Sequence, residues 1–150
     1  MTKKAKYRPK PVVLDVMAYV KASMKPLAAV GSELVKLRII NHDALLALAQ
    51  GRATLGDMNK LVEVGNMSEA LAHQGFGKDW EPEIRAGQDA LLTVARRDKW
   101  VCRSEELSAI REMVEVNDAQ LDVVTIAQLE KGMAHIREVK RNKRARRIKE

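Results

Sequence analysis

The sequence predicts an all-α fold: a single-domain bundle of five or six helices, with a basic extended arm at one end and a basic helix extension at the other. Three observations predict it. Apolar residues make up 46% of the chain and aromatics only 3%, so Leu, Ala, Val and Met carry the hydrophobic load and the aromatic strand formers are scarce. Apolar residues recur at steps of three and four in successive stretches, the spacing that gathers them on one helical stripe. Between those stretches stand Gly, Pro and short polar residues suited to caps and turns. A chain of 150 residues is one domain by length and can bury a core without disulfide or metal staples.

Residues 1–11, with Lys3, Lys4, Lys6, Tyr7, Arg8, Pro9, Lys10 and Pro11, form an extended arm, because each X-Pro pair pushes its first residue out of the helical region. Val13, Val16, Met17, Val20 and Met24 then share one face of a helix that Pro26 ends or kinks. The next stripe is Val30, Leu34, Leu37, Ala44, Leu45 and Leu48, in a helix from about Leu27 or Ser32 to Gln50, with Gly51 at C′. Asn41, His42 and Asp43 interrupt it. The reading adopted is one long helix with these three facing solvent; the alternative has Asn41 capping a separate short helix.

Thr54 and Asp57 have the spacing of a capping box, and Leu55, Met58, Leu61, Val64, Ser68 and Leu71 form the buried face that follows. Small Gly65, Ser68 and Ala72 would let a neighbouring helix come close. Gly75-Phe76-Gly77 ends this helix, Gly75 taking the left-handed position and Phe76 the apolar C″ contact. Asp79 or Glu81 is expected to cap the next helix, with Pro82 in its first turn. Its inward residues are Ile84, Gly87, Leu91 and Val94 or Ala95, up to Arg96-Arg97-Asp98. Ser104, followed by Glu105 and Glu106 at the positive end of the dipole, is expected to start a further helix with the stripe Leu107, Ile110, Val114, Asn117 and Leu121.

The last helix starts at a second capping box, Thr125 and Gln128. Ile126, Leu129, Met133 and Ile136 form a stripe able to pack on the body. Beyond it the chain turns cationic: Arg137, Lys140, Arg141, Lys143, Arg144, Arg146, Arg147 and Lys149 are opposed only by Glu138 and Glu150. The organisation expected is therefore an arm over 1–11, a helical domain over 12–136 and a basic helix extension over 137–150.

The net charge of +7 conceals a segregation. Residues 1–10 hold five cations and no acid, and residues 131–150 hold nine cations against two acids. The stretch between them holds thirteen Lys and Arg against eighteen Asp and Glu. Attraction for anions is concentrated in the two extensions. The expected binding residues, for nucleic acid or an acidic partner, are Lys3, Lys4, Lys6, Arg8, Lys10, Arg137, Lys140, Arg141, Lys143, Arg144, Arg146, Arg147 and Lys149. A run like the last one also serves commonly as a solvated tail. Here it continues a packed helix in register and is matched by a second basic arm. It is also richer in Arg than Lys, which suits phosphate.

Catalytic signals are weak. His42, His73 and His135 stand on different predicted helices without a second ligand at metal spacing. Gly51 and Gly56 have Walker A spacing, but Asp57 replaces the required Lys and no strand precedes them. Cys102, the single cysteine, reads as a small hydrophobe beside Trp100 and Val101. No catalytic residue, metal or cofactor is expected, and the protein is not read as an enzyme. A helix-turn-helix over Leu45–Leu71 fits poorly, because its second helix would carry Asp57, Glu63 and Glu69 against Lys60 and be repelled by phosphate. Asn117 could set register or pair across an interface, although such an Asn is more often satisfied by nearby backbone. With one cysteine, no leader-type apolar segment and no run long enough to span a bilayer, a reducing, cytoplasmic setting is expected.

The arm Lys6-Tyr7-Arg8-Pro9-Lys10-Pro11, the stretch Arg38 to His42, the turn Gln50-Gly51-Arg52-Ala53-Thr54 and the segment Asn117-Asp118-Ala119-Gln120 carry a resemblance over most of the chain. It resembles a family of short proteins encoded in phages and prophages of Gram-negative proteobacteria. The resemblance implies a phage accessory role in a host cytoplasm and brings no site with it. Two functions are therefore expected as alternatives: nucleic-acid binding through the basic ends, or inhibition of a host complex such as a CRISPR effector or RNA polymerase by protein contact. A homodimer is possible in either case.

Overall fold

The structure, a computed structural model, describes residues 31–142 together with Met24 and Pro26. The arm over 1–11, the helix expected from Val13, all but the last residue of its stripe, and the cationic run 143–150 lie outside the described residues. Those described form five α-helices, α1 Gly31–Ala49, α2 Leu55–His73, α3 Glu81–Ala95, α4 Ser104–Val123 and α5 Ile126–Arg141, with a single 3-10 turn Lys78–Trp80 before α3. Among the described residues there is no β-strand; Pro26 and Thr125 form an isolated antiparallel bridge. The all-α reading holds.

The helix ends follow the expected chemistry in most places. Gly51, at φ 69°, stands after α1, with its N–H donating to Leu48 O and that of Arg52 to Ala47 O, so the last carbonyls of α1 find donors. After α2, Gly75 at φ 102° does the same: its N–H donates to Ala72 O at 2.9 Å and that of Phe76 to Leu71 O at 3.0 Å. Capping boxes form at Thr54 with Asp57 and at Thr125 with Gln128.

Two starts differ. Neither Asp79 nor Glu81 caps α3: Trp80 holds the cap position without a side-chain bond, and Pro82 lies in the first turn. The 3-10 turn runs straight into the helix and supplies Lys78 O to the N–H of Glu81, so no side-chain acceptor is needed there. At α4 the cap is Arg103 and Ser104 is already helical. The Glu106 carboxylate accepts the Arg103 N–H at 2.8 Å, moving the boundary back by one residue.

The central element is α2, which touches each of the other four helices. Around its first half Ala44, Leu45 and Leu48 of α1, Leu91 and Val94 of α3, and Ile110, Met113 and Val114 of α4 close the larger core, with Met58, Leu61 and Val64 of α2 itself. Around its second half a smaller core joins Leu34, Leu71, Leu121 and Val124, with Ile126 and Leu129 of α5 packed against it. Close approach is real at Gly65 and Gly87: a Cβ on Gly65 would stand 3.0 Å from Met113 Sδ, and one on Gly87 would stand 2.4 Å from Met113 Cβ.

The stretch Asn41-His42-Asp43 is part of one long helix, but its three residues do not all face solvent. Asn41 is buried, because it lies seven residues after Leu34 and four before Leu45, on the same stripe. The opposite side of α1 is also apolar: Val35, Ile39, Ile40 and Leu46 are between 48% and 54% exposed.

Candidate nucleic-acid interface

Helix α5 is anchored on the bundle at its base. At the base the Thr125 hydroxyl accepts the Gln128 N–H at 3.3 Å, and the Gln128 side chain accepts the Thr125 N–H at 2.8 Å. The Gln74 amide reaches across from the end of α2 to Gln128 O at 3.1 Å. One turn on, Gly132 is the buried residue of α5; a Cβ there would meet Met67 Sδ at 3.1 Å, so the two helices touch at a residue without a side chain.

The stripe expected to pack does so only in part. Ile126 and Leu129 join the smaller core, whereas Met133 is 43% exposed. Beyond Gly132, Lys60 and Glu63 of α2, paired to each other at 3.1 Å, share a groove with Arg137 and Lys140 of α5. That groove, of about 340 Å³, has Leu37 and Asn41 of α1, Val64 and Met67 of α2, Asn117 and Leu121 of α4, and Met133 and Ile136 of α5 among its walls. Asn117 is buried and its amide Nδ2 has no protein partner. It is neither satisfied by nearby backbone nor paired with another helix; it faces the groove.

At the tip come Arg137, Lys140 and Arg141, the last two in the final helical turn, where the negative end of the dipole favours cations. Arg137 and Arg141 are exposed, and Lys140 is half-buried. Arg137 and Lys140 also line the groove. Of the expected binding residues these three are brought together; Lys3, Lys4, Lys6, Arg8, Lys10, Lys143, Arg144, Arg146, Arg147 and Lys149 lie outside the described residues.

Cations of the body meet acids of neighbouring elements. Arg38 donates to Asp118 O at 2.9 Å and to the Asp122 carboxylate, while His42 Nε2 and Asp118 Oδ2 are 2.6 Å apart. Arg97 and Glu106 form a two-bonded pair. That pair holds the Glu106 carboxyl below the usual carboxylate range, mainly through the Arg97 hydrogen bond, and raises Arg97. Sequence reasoning missed the Arg38 network, although its signal is visible: Arg38 and His42 are four residues apart on α1, and Asp118 and Asp122 four apart on α4. It also missed the stacking of the His73 and His135 rings, 5.5 Å between centroids and 15° between planes, which joins exposed faces of α2 and α5.

Other chemistry finds little footing. Among the described residues no three His, Cys, Asp or Glu side chains are placed to hold a metal ion. Cys102 packs against the larger core, and its thiol pKa is raised mainly by burial, the opposite of nucleophile activation. Helix α2, the second helix of the helix-turn-helix considered above, packs against each of the other four, and its exposed residues include Glu63 and Glu69, which phosphate would repel. No helix among the described residues is long and apolar enough to cross a membrane. No protein-family model, curated protein or solved structure matches the chain.

Proposed function

We propose that the protein binds nucleic acid without catalysis, through cationic side chains at both ends, as a regulatory phage accessory protein in a bacterial cytoplasm. The observation that carries the reading is the segregation of charge. The body pairs part-buried cations with acids of its own, as Arg38 does with Asp122 and Arg97 with Glu106; Arg137, Lys140 and Arg141 are gathered at the end of α5, and the sequence continues with five further cations from Lys143 to Lys149. Cations so placed exchange condensed counterions for phosphates, a sequence-independent attraction. With aromatics at 3% of the chain there is little to stack on unpaired bases, so duplex DNA or structured RNA is the preferred ligand class. The phage assignment rests on the resemblance alone.

A second reading, inhibition of a host complex by protein contact, is favoured by a different feature, the half-exposed Val35, Ile39 and Leu46 on the outer side of α1. The two readings part in one experiment. Binding of labelled duplex, structured RNA and single strands is measured by fluorescence anisotropy at about 50 mM salt, where the electrostatic attraction is strong. Tight, salt-sensitive binding that favours the structured ligands is the expected result. Absence of binding there, with a partner from infected cells that survives nuclease treatment, would replace the first reading by the second.

A further inference from the structure

We propose that the groove between α5 and the bundle is a binding site for an elongated amphiphilic carboxylate, an acyl chain with an acid group at one end and an acceptor oxygen partway along its length. The proposal goes beyond the nucleic-acid reading and does not rest on it.

The groove has the size and make-up of a small-molecule site. Its volume of about 340 Å³ lies in the range of such sites, roughly 300–1000 Å³, which are lined mainly by apolar side chains with a few polar groups that fix orientation. Leu37, Val64, Met67, Leu129, Met133 and Ile136 offer a surface for hydrocarbon. The order of the polar groups along it follows from the contacts of α2. The Gln74 amide reaches Gln128 O, and a Cβ on Gly132 would meet Met67 Sδ, so α2 and α5 run antiparallel and Leu129 lies at the opposite end from Lys60 and Lys140. On the α4 side, Met113 lies against Gly65 and Gln120 donates to Ser68 O. Asn117, between them on α4, is therefore level with Met67, and so with Gly132 and Met133 of α5. From Met133 to Arg137 and Lys140 is four and seven residues, about 6–10 Å of helix.

The cationic end sets the sign of the ligand. Lys60, Arg137 and Lys140 line it against Glu63, whose carboxylate is paired to Lys60. The balance is positive, and the planar guanidinium of Arg137 matches a carboxylate. Asn117 sets the rest. It is 2% exposed, and its Nδ2 has no hydrogen-bond partner among the described residues. A buried donor left unpaired is costly, and a bare hydrocarbon chain beside it would leave it so. The chain that answers this groove carries a carbonyl or hydroxyl oxygen at the level of Asn117, with its tail running on towards Leu129.

The test uses the full chain without nucleic acid, because Arg137 and Lys140 serve both readings; its failure leaves nucleic-acid binding standing. Isothermal titration calorimetry compares dodecanoate, dodecanoate bearing a mid-chain keto group, and dodecyltrimethylammonium, each below its micellar concentration. The keto acid is expected to bind as one molecule per chain and about tenfold more tightly than dodecanoate, and the ammonium compound is expected not to bind. Arg137→Gln combined with Lys140→Gln should weaken both acids at least about tenfold. Lys131→Gln, which removes an exposed cation of the same helix outside the groove, should leave them unchanged. Asn117→Leu should bring the keto acid to the affinity of dodecanoate, whose own retained binding shows that the variant is folded. Absence of binding by the acids, equal affinity of the two acids for the parent, equally tight binding of the ammonium compound, or an equal loss in Lys131→Gln overturns the proposal.

Discussion

Both terminal nitrogens of Arg97 donate to the two oxygens of Glu106 at 2.7 Å, and the same carboxylate accepts the Arg103 N–H at 2.8 Å. One acidic side chain therefore ties the end of α3 to the start of α4, and Arg97 adds Val101 O of the connecting loop at 2.8 Å. Because the folded chain holds the Glu106 carboxyl below its ordinary value, the contribution is fully present above the unfolded value, about 4.3, and is lost as pH falls through the lower folded value. Glu106→Gln is expected to lower the melting temperature at pH 7, and the gap to the parent should close progressively as pH falls below about 4. Thermal melts from pH 7 down to 2.5 check this; a gap that does not vary with pH would contradict it.

The crossing of α3 and α4 sets a steric prediction. A Cβ on Gly87 would fall 2.4 Å from Met113 Cβ and 2.9 Å from Ala109 O, neither of them the far end of a flexible chain. Gly87→Ala should cost about 1–3 kcal/mol by forcing the helices apart. Gly56→Ala, whose Cβ meets only Thr54 Oγ1 at 3.6 Å, should instead stabilise by about 0.4–1 kcal/mol. Urea titrations of the two variants give opposite signs if the packing is as described.

Gln120 is buried and donates through Nε2 to Ser68 O and to Phe76 O, each at 2.9 Å. It fastens the turn after α2 to the helix itself. Gln120→Met keeps the length and removes the donor, leaving carbonyls without that partner, and should cost about 1–3 kcal/mol. Hydrogen exchange should rise first at Phe76 and Gly77, ahead of the rest of the core.

For the proposed binding, replacing Arg137, Arg141 and Arg144 by Gln should weaken affinity for all duplex sequences alike. Each lost phosphate contact should flatten the slope of log affinity against log salt by about 0.9 on duplex DNA or about 0.7 on single strands. Unchanged slopes would remove these side chains from the interface.

The helices and their ends were readable because the signals are local. Thr54 with Asp57, Thr125 with Gln128, and Gly51 and Gly75 each act on backbone groups within a few residues. Those settled by packing were not readable. Asn41 turned inward, Met133 remained exposed, and His73 met His135, because each outcome depends on which helix lies opposite and at what separation. The candidate site divides the same way: its cations are plain in the composition, but the groove beside Arg137 depends on how α5 lies against α1, α2 and α4.

Met113 is fully buried, with its sulfur set between positions 65 and 87, where neither helix carries a side chain. That seat has no room for a sulfoxide oxygen, and peroxide cannot reach the thioether while the bundle is closed. Oxidation of Met113 therefore has to wait for the chain to open, and a chain oxidised there cannot close again in the same way. The rate at which peroxide adds oxygen at this one residue, followed by mass spectrometry against exposed Met133, is a clock for spontaneous opening of the core.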